Sequence, residues 1–437
     1  MSITRRSLIQ AAGVAPLLAQ SERPRSANDR IQVGVIGTGA RAQELMQALQ
    51  VLPGVEIVGV VDAYKGRVER AIERTNGRAK AYPDHHALLA QQSIDAVVVG
   101  TPDHWHRQMV IDAMAAGKDV YCEKPLTYRS SEGVDIIRAA KERGRILQVG
   151  SQGMSSSVQR KAKELIQSGR LGKITIIRAA YNRNTASGAW IYPIPPDASP
   201  QTVNWEMFLG SAPKQPYSNE RFFRWRCFRD YSGGIATDLF VHLCTTIHYL
   251  MDARVPARAV AMGELYRWKD GRDVPDTLNG ILEYAEGFVV NLSSTFNNES
   301  SAEGSFQILG TEGSISLGDG LTYHAEAVLE DNRWVVDSWS SALEQAYYRD
   351  PKVIEKEVPS AWPEKTLPVT EHYRQEGVDS TVTHMGHWLD SIRSRKAYWE
   401  DASAGHHAAS CAHMINQSAA ERRMVEWDSS RDDIKSA

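Results

Sequence analysis

A strand that runs directly into a glycine turn and then into a helix constrains this chain more than any other feature. Ile31-Gln32-Val33-Gly34-Val35-Ile36 is an apolar run of strand length, and Gly37-Thr38-Gly39-Ala40-Arg41-Ala42 follows without a break. Leu45, Met46, Leu49 and Leu52 then recur at helical spacing. The turn reads G-x-G-x-x-A. In such a turn Gly37 permits the tight reversal, Gly39 lets a pyrophosphate approach the backbone, and Ala42 allows close packing of helix on strand. The helix N-terminus, flanked by Thr38, Ala40 and Arg41, offers free N–H groups to phosphates.

The residues downstream extend this into a nucleotide-binding half. A second strand, Glu56 to Val61, ends at Asp62, about 20 residues past the turn, where an acid bonds ribose hydroxyls. A carboxylate there repels a 2′-phosphate and favours NAD over NADP, although Lys65 and Arg67 leave NADP open. Asp62 as a plain helix cap is the other reading. A third strand, Ala96 to Gly100, leads into Thr101-Pro102-Asp103-His104-Trp105-His106. A fourth, Asp119 to Cys122, leads into Glu123-Lys124-Pro125-Leu126, and a fifth covers Ile146 to Gly150. Alternation of strands with helices predicts a parallel, doubly wound sheet, which binds ligands beyond the carboxyl ends of its strands. The expected cofactor wall is therefore Gly37, Thr38, Gly39, Ala40, Arg41, Asp62, Arg67, Thr101, Pro102, His104, His106, Glu123, Lys124 and Gln152.

With 437 residues the chain has room for two large domains at ~100–200 residues each. Its 42% hydrophobic and 24% charged residues exclude a disordered chain, and a net charge of −3 excludes nucleic-acid binding driven by bulk electrostatics. No apolar run reaches the ~20 residues that stable membrane insertion requires. The four cysteines, Cys122, Cys227, Cys244 and Cys411, show no CxxC spacing and there is no HExxH, so neither a disulfide framework nor a metal site is expected. Near the N-terminus, Thr4-Arg5-Arg6-Ser7-Leu8-Ile9 precedes a short apolar stretch and resembles a twin-arginine (Tat) export signal. Residues 1–28 are read as signal and linker, with a periplasmic destination.

The second half reads as strands in close succession: Ile174 to Tyr181, Arg258 to Arg267, Leu278 to Ala285, Gly287 to Phe296, Gly304 to Gly310 and Gly313 to Leu317. Turns as short as Ala285-Glu286-Gly287 indicate antiparallel pairing. Residues from about Glu330 to Gln375 read as a surface excursion. The expected division is 29–150 for the Rossmann domain, 151–403 for a substrate and oligomerisation domain, and 404–437 for a segment that packs back on the Rossmann domain.

The combination resembles the Gfo/Idh/MocA family of NAD(P)-dependent sugar and polyol oxidoreductases. The resemblance rests on Gly37-Thr38-Gly39, Thr101-Pro102 with His106, Glu123-Lys124-Pro125, Ser168-Gly169-Arg170-Leu171-Gly172-Lys173, Ser232-Gly233-Gly234 with Asp238 and His242, and Gly310-Thr311-Glu312-Gly313. It implies an α/β fold with an N-terminal Rossmann domain and an α/β domain whose largely antiparallel open sheet forms a homodimer or homotetramer. It also implies a catalytic group of Lys124, Asp238 and His242.

The residues support that chemistry. Hydride transfer needs a base within ~2.6–3.2 Å of the alcohol proton. Lys124 at its strand end can bond the reacting oxygen. Asp238 and His242, four apart on a helix expected from Ile235 to Leu250, share one face, and His242 is the expected general base. Between Tyr181 and Tyr231, aromatic and planar polar side chains including Arg183, Trp190, Tyr192, Trp225, Arg226 and Tyr231 suit a carbohydrate. The expected substrate set is Arg183, Trp190, Trp225, Arg226, Tyr231, Asp238 and His242. Export implies a tightly bound NAD, regenerated in place. This allows either sugar–sugar oxidoreduction or an NAD-dependent glycoside hydrolysis through transient oxidation. The hydrolase resemblance is weakened because Leu239 stands where a Tyr-x-x-His pair would put tyrosine. A sugar- or NAD-binding protein without turnover is the third reading.

Overall fold

The computed structural model describes residues 30–300, 306–318, 320–326, 332–356 and 370–435. The export expectation for residues 1–28 therefore lies outside the described residues. In the first half, six parallel strands run β1 (Ile31–Ile36), β2 (Val55–Val61), β3 (Lys80–Ala81), β4 (Ala96–Val99), β5 (Asp119–Glu123) and β6 (Leu147–Gly150). They lie in the order β3-β2-β1-β4-β5-β6. β4, β5 and β6 are buried throughout, as expected of strands covered by helices on both faces. The order reverses between β1 and β4, so the glycine turn after β1 and the Thr101 turn after β4 face each other across the crevice.

The second sheet has ten strands: β7 (Ile174–Ala180), β8 (Arg258–Glu264), β9 (Thr277–Glu283), β10 (Val289–Thr295), β11 (Phe306–Gly310), β12 (Gly313–Leu317), β13 (Gly320–Ala325), β14 (Thr370–Arg374), β15 (Val425–Asp428) and β16 (Asp433–Ile434). Their order is β14-β13-β12-β11-β7-β10-β9-β8-β15-β16. All pairs are antiparallel except β7 with β10. β8, β9 and β10 largely alternate buried and more exposed positions. One face receives the helices Val241–Met251 and Ala402–Glu421, and the other leaves Val260, Met262 and Ile281 exposed. The fold class expected from the sequence, a Rossmann domain plus an α/β domain with a largely antiparallel open sheet, is the one observed.

Three boundaries differ from the sequence reading. The residues that close the Rossmann core come mainly from the helix Ser380–Ser394, whose Met385, Trp388 and Leu389 join the β1 and β2 side chains. The helix Ala402–Glu421 contributes Ala402 to the Rossmann side, but Cys411, Ala412, Met414 and Ile415 belong to the second core, and β15 and β16 extend the second sheet. The 404–437 segment thus serves both domains: β15 and β16 extend the second sheet, while Gly405 packs against Val149 and Leu126 and His406 against Gly133 of the Rossmann domain. The helix expected over Ile235–Leu250 begins as a five-residue π-helical turn, Ala236–Phe240, before the α-helix Val241–Met251. Finally, part of the expected surface excursion supplies the strand β14, paired with β13.

The two cores are pressed together where the helix Gly133–Arg143 meets Ala402–Glu421. A Cβ on Gly133 would lie 1.9 Å from Nδ1 of the buried His406. Gly133→Ala should therefore lower stability by about 1–3 kcal/mol through overpacking, outweighing the helix propensity gained. A melting temperature in thermal unfolding at or above that of the wild type would refute this contact.

Candidate active site

The carboxyl edge of the Rossmann sheet and the second domain enclose a cleft of about 1000 Å³. Its floor is the glycine turn. Gly37 has φ +82°, and a Cβ there would lie 2.8 Å from the Gly100 carbonyl carbon and from the Thr101 nitrogen, so the turn and the β4 end can meet only without a side chain. Gly39 differs. A Cβ there would meet nothing nearer than the Arg67 guanidinium at 3.9 Å, so its missing side chain leaves room over the backbone. The helix Ala40–Gln50 starts at Gly39 with no side-chain cap and no acid in its first turn. Its first N–H groups are thus available to a phosphate. These features fit a dinucleotide pyrophosphate.

Carboxylates organise both ends of this wall. Asp62 accepts the Thr38 N–H at 2.7 Å and the Tyr64 N–H at 2.9 Å, and Arg67 stands 3.8 Å away. Arg67 also lies over the rings of Phe222 and Phe223, at 5.3 and 5.5 Å. Buried Glu123 accepts from Arg41 Nε at 3.1 Å and Gln152 Nε2 at 2.8 Å. His106 sits behind the wall, with its ring nitrogens against the Pro125 and Thr101 carbonyls at 2.6 and 3.0 Å. It braces the two turns against each other.

The chemistry-bearing cluster forms where Lys124 crosses into the second domain. Lys124 Nζ donates to the Asp238 carbonyl at 2.7 Å and to its Oδ1 at 2.8 Å. Arg226 Nε donates to the same Oδ1 at 3.1 Å, and Trp190 Nε1 donates to Oδ2 at 3.0 Å. Burial opposes charge on Asp238, but Lys124 and Arg226 outweigh it and hold the carboxyl well below the usual range. His242 also faces the cleft, and among the described residues its ring has no hydrogen-bond partner. Burial, reinforced by Lys124, lowers its pKa to about 3, so the ring is neutral and can accept a proton.

Of the residues expected at the cofactor wall, all but Thr38, His104 and His106 line the cleft. Thr38 is buried and acts through Asp62. His104 turns away, donating Nε2 to the Phe208 carbonyl at 3.0 Å among the rings of Trp105, Phe208 and Tyr231. Of the expected substrate residues, Arg183, Trp225, Arg226, Asp238 and His242 line the cleft, and Trp190 and Tyr231 do not. Trp190 is fully buried and reaches the site only through Asp238. Tyr231 is core, its hydroxyl accepting from Gln215 at 2.6 Å. The structure adds Tyr192 to the lining, and also Asp103, a buried acid that accepts from Thr237 at 3.2 Å. The position of Asp103 directly after Thr101-Pro102 was the available signal. Among the described residues, the one grouping of three possible metal ligands, His85, His86 and Asp112, lies outside the cleft.

Two family models cover most of the chain. One, described as "Oxidoreductase family, NAD-binding Rossmann fold", matches residues 31–151, and the other, "Oxidoreductase family, C-terminal alpha/beta domain", matches residues 163–427. Inositol 2-dehydrogenases of Pseudomonas fluorescens and Burkholderia cenocepacia are 34% and 33% identical over 160 residues, which is 36% of this chain and 47% of each relative. The match thus spans about half the length of these curated relatives. Levoglucosan dehydrogenase in complex with NADH and levoglucosan superposes with a TM-score of 0.64 at 20% identity, covering 91% of this chain and 99% of that one. Aldose–aldose oxidoreductase from Caulobacter crescentus gives 0.65 at 16% identity, covering 91% and 100%. Both likenesses are of fold.

The neutral histidines around the cleft couple its stability to pH. Burial holds His104 at about 4 and His242 at about 3, whereas an unfolded histidine titrates near 6.5. The unfolded chain therefore binds more protons between these values. The stability contributed is complete above pH 6.5 and is lost as pH falls toward the folded values. In denaturant titrations between pH 6 and 4.5, His104→Gln should lose stability less steeply than the wild type, by about 1.4 kcal/mol per pH unit. Parallel slopes would refute the neutral, buried His104.

Proposed function

Since the chain belongs to the Gfo/Idh/MocA oxidoreductase family, we propose that it is an NAD-dependent dehydrogenase oxidising a carbinol carbon of a sugar or sugar derivative. The observation that carries this reading is the convergence of Lys124, Asp238 and His242 on one cleft, opposite the open backbone at Gly39. When bound, the dinucleotide supplies the acceptor for the carbinol hydrogen and its electron pair. Gly39, the first turn of the helix Ala40–Gln50 and Asp62 would hold it, and Asp62 favours NAD over NADP. The likeness to inositol 2-dehydrogenase and levoglucosan dehydrogenase supports a polyhydroxylated substrate.

The chain's own residues divide the remaining work. Lys124 has three protons on Nζ. Asp238 takes two, which leaves the third to bond the substrate hydroxyl and steady the oxygen as it gains negative character. His242, neutral and unbonded, accepts the hydroxyl proton at a ring nitrogen. Asp238 acts as the anchor. Its charge fixes the Lys124 ammonium and the Arg226 guanidinium, and Trp190 fixes its own orientation. Residues 1–28 support export, which favours a dinucleotide that stays bound between turnovers. The apolar open face of the second sheet around Met262 and Ile281 favours a homodimer or homotetramer.

Mass analysis of the supernatant from denatured, freshly purified protein should detect NAD. Mixing the loaded enzyme with a panel of sugars, polyols and sugar derivatives should change the dinucleotide absorbance. Lys124→Met and His242→Ala should each lower kcat about 100-fold or more. Wild-type turnover in both variants would overturn the site.

A further inference from the structure

We propose that the substrate of this site carries an anionic group, a carboxylate on the sugar, and that Arg183 binds it. The inference rests on the dehydrogenase reading and names its substrate class. Five cationic side chains line the cleft. Arg41, Arg67, Lys124 and Arg226 each stand against a carboxylate of the protein. Arg183 does not. Among the described residues it has no carboxylate within ion-pair distance, and its side-chain hydrogen bond is one from Nη1 to the Gly188 carbonyl at 3.2 Å. The Tyr181 ring supports the guanidinium at 5.2 Å. A guanidinium has five N–H donors in a planar fork, and the unused ones suit a bidentate carboxylate.

Arg183 is also built in place. It follows β7, and its backbone N–H donates to the Thr295 carbonyl of β10 at 2.9 Å. Asn182 beside it accepts the Thr295 N–H at 3.2 Å. The cation is therefore mounted on two central strands of the second sheet, in a segment bordering the reacting cluster.

The electrostatics of the base point the same way. The charges that act most strongly on His242 are those of Lys124, Asp238, Arg41 and Arg183, three cations and one anion; Glu123 stands behind Arg41, and Arg226 and Asp103 also line the cleft. After burial, this surplus helps to depress the proton affinity of His242, and a base as weak as about 3 is poorly matched to neutral pH. A carboxylate on Arg183 would offset one cation and raise the proton affinity of His242 only in the complex. A sugar acid, such as a uronic or aldonic acid or a glycoside of one, would bring both the hydroxyl and the counter-charge.

The test compares D-glucuronate, D-galacturonate and D-gluconate with D-glucose and D-galactose, on the NAD-loaded wild type and on Arg183→Met. Turnover is read by dinucleotide absorbance and binding by calorimetry. The expected result is a kcat/KM about tenfold or more higher for an acid than for its neutral counterpart. That ratio should collapse in Arg183→Met, and the acid limb of kcat should lie at higher pH for the acid than for a neutral sugar. Equal or better turnover of neutral sugars, or acid binding unchanged in Arg183→Met, overturns the inference; in the first case the dehydrogenase reading stands. An acid that binds through Arg183 without any change in the dinucleotide upholds the inference and sinks the dehydrogenase reading. If no acid binds saturably, the inference falls.

Discussion

Lys124, just past the end of β5 in the Rossmann domain, and Asp238, on the π-helical turn Ala236–Phe240 of the second domain, meet in one buried ion pair, at 2.8 Å, with their side chains 11% and 13% exposed. Taking two charges out of water costs several kcal/mol each, and the return depends on geometry and on satisfying the remaining polar atoms. Here that condition is met by convergence. Asp238 receives Lys124 from the end of β5, Arg226 from the Trp225–Cys227 turn, and the indole of Trp190 from a loop whose backbone adopts φ +64° at that residue. A left-handed tryptophan costs about 1–3 kcal/mol and persists only where its surroundings impose it. The indole bond to Asp238 and the packing against Phe296 at 4.8 Å are those surroundings. The geometry of this cluster, where the two domains meet, thus turns on one carboxylate.

The sequence carried the parts of this arrangement that are written in local pattern. Gly37, Gly39 and Ala42 occupy the positions their spacing required, because a turn closing onto the next strand leaves no room for a side chain at Gly37. The strand ends at Asp62, Thr101 and Glu123 fell on one edge because parallel topology puts them there. What the sequence could not carry was which way a side chain turns after a strand end. His104 and His106 stand two apart beside a correct motif, yet one braces two turns and the other docks under Phe208. Trp190 and Tyr231 have the chemistry of sugar-facing residues, but burial assigns one to positioning Asp238 and the other to the core. The role of Ser380–Ser394 was hidden because helical periodicity shows that a face is buried without showing against what.

That last point bears on how the cleft is assembled. The Rossmann sheet is complete by Gly150, but its outer layer is filled by Met385, Trp388 and Leu389 more than 200 residues later. His384 bonds the Val149 carbonyl at 2.9 Å, and its own carbonyl accepts from Gln148 at 2.8 Å. The helix Ala402–Glu421 then ties the halves together, with His413 against Thr127 at 3.0 Å and Asn416 donating to Gly233 at 2.8 Å, just ahead of the π-helical turn that carries Asp238. The chain returns to its first domain before the second sheet is finished, so neither wall of the cleft is set independently of the other.

Charge and hydrogen-bond partners then separate the groups within the cluster. Asp238 is a poor proton acceptor, because Lys124, Arg226 and Trp190 already bond its carboxylate and the two cations hold the carboxyl well below its usual range. Lys124 keeps its ammonium against that carboxylate and can only donate. Glu123 is committed to Arg41 and Gln152. His242 remains, with an uncharged ring facing the cleft and no hydrogen-bond partner among the described residues to give up. The proposed roles, proton acceptance at His242 and oxyanion stabilisation at Lys124, rest on these commitments of their neighbours. In the same proposal, the strength of that base is set by the cations around it and by the charge of the bound substrate.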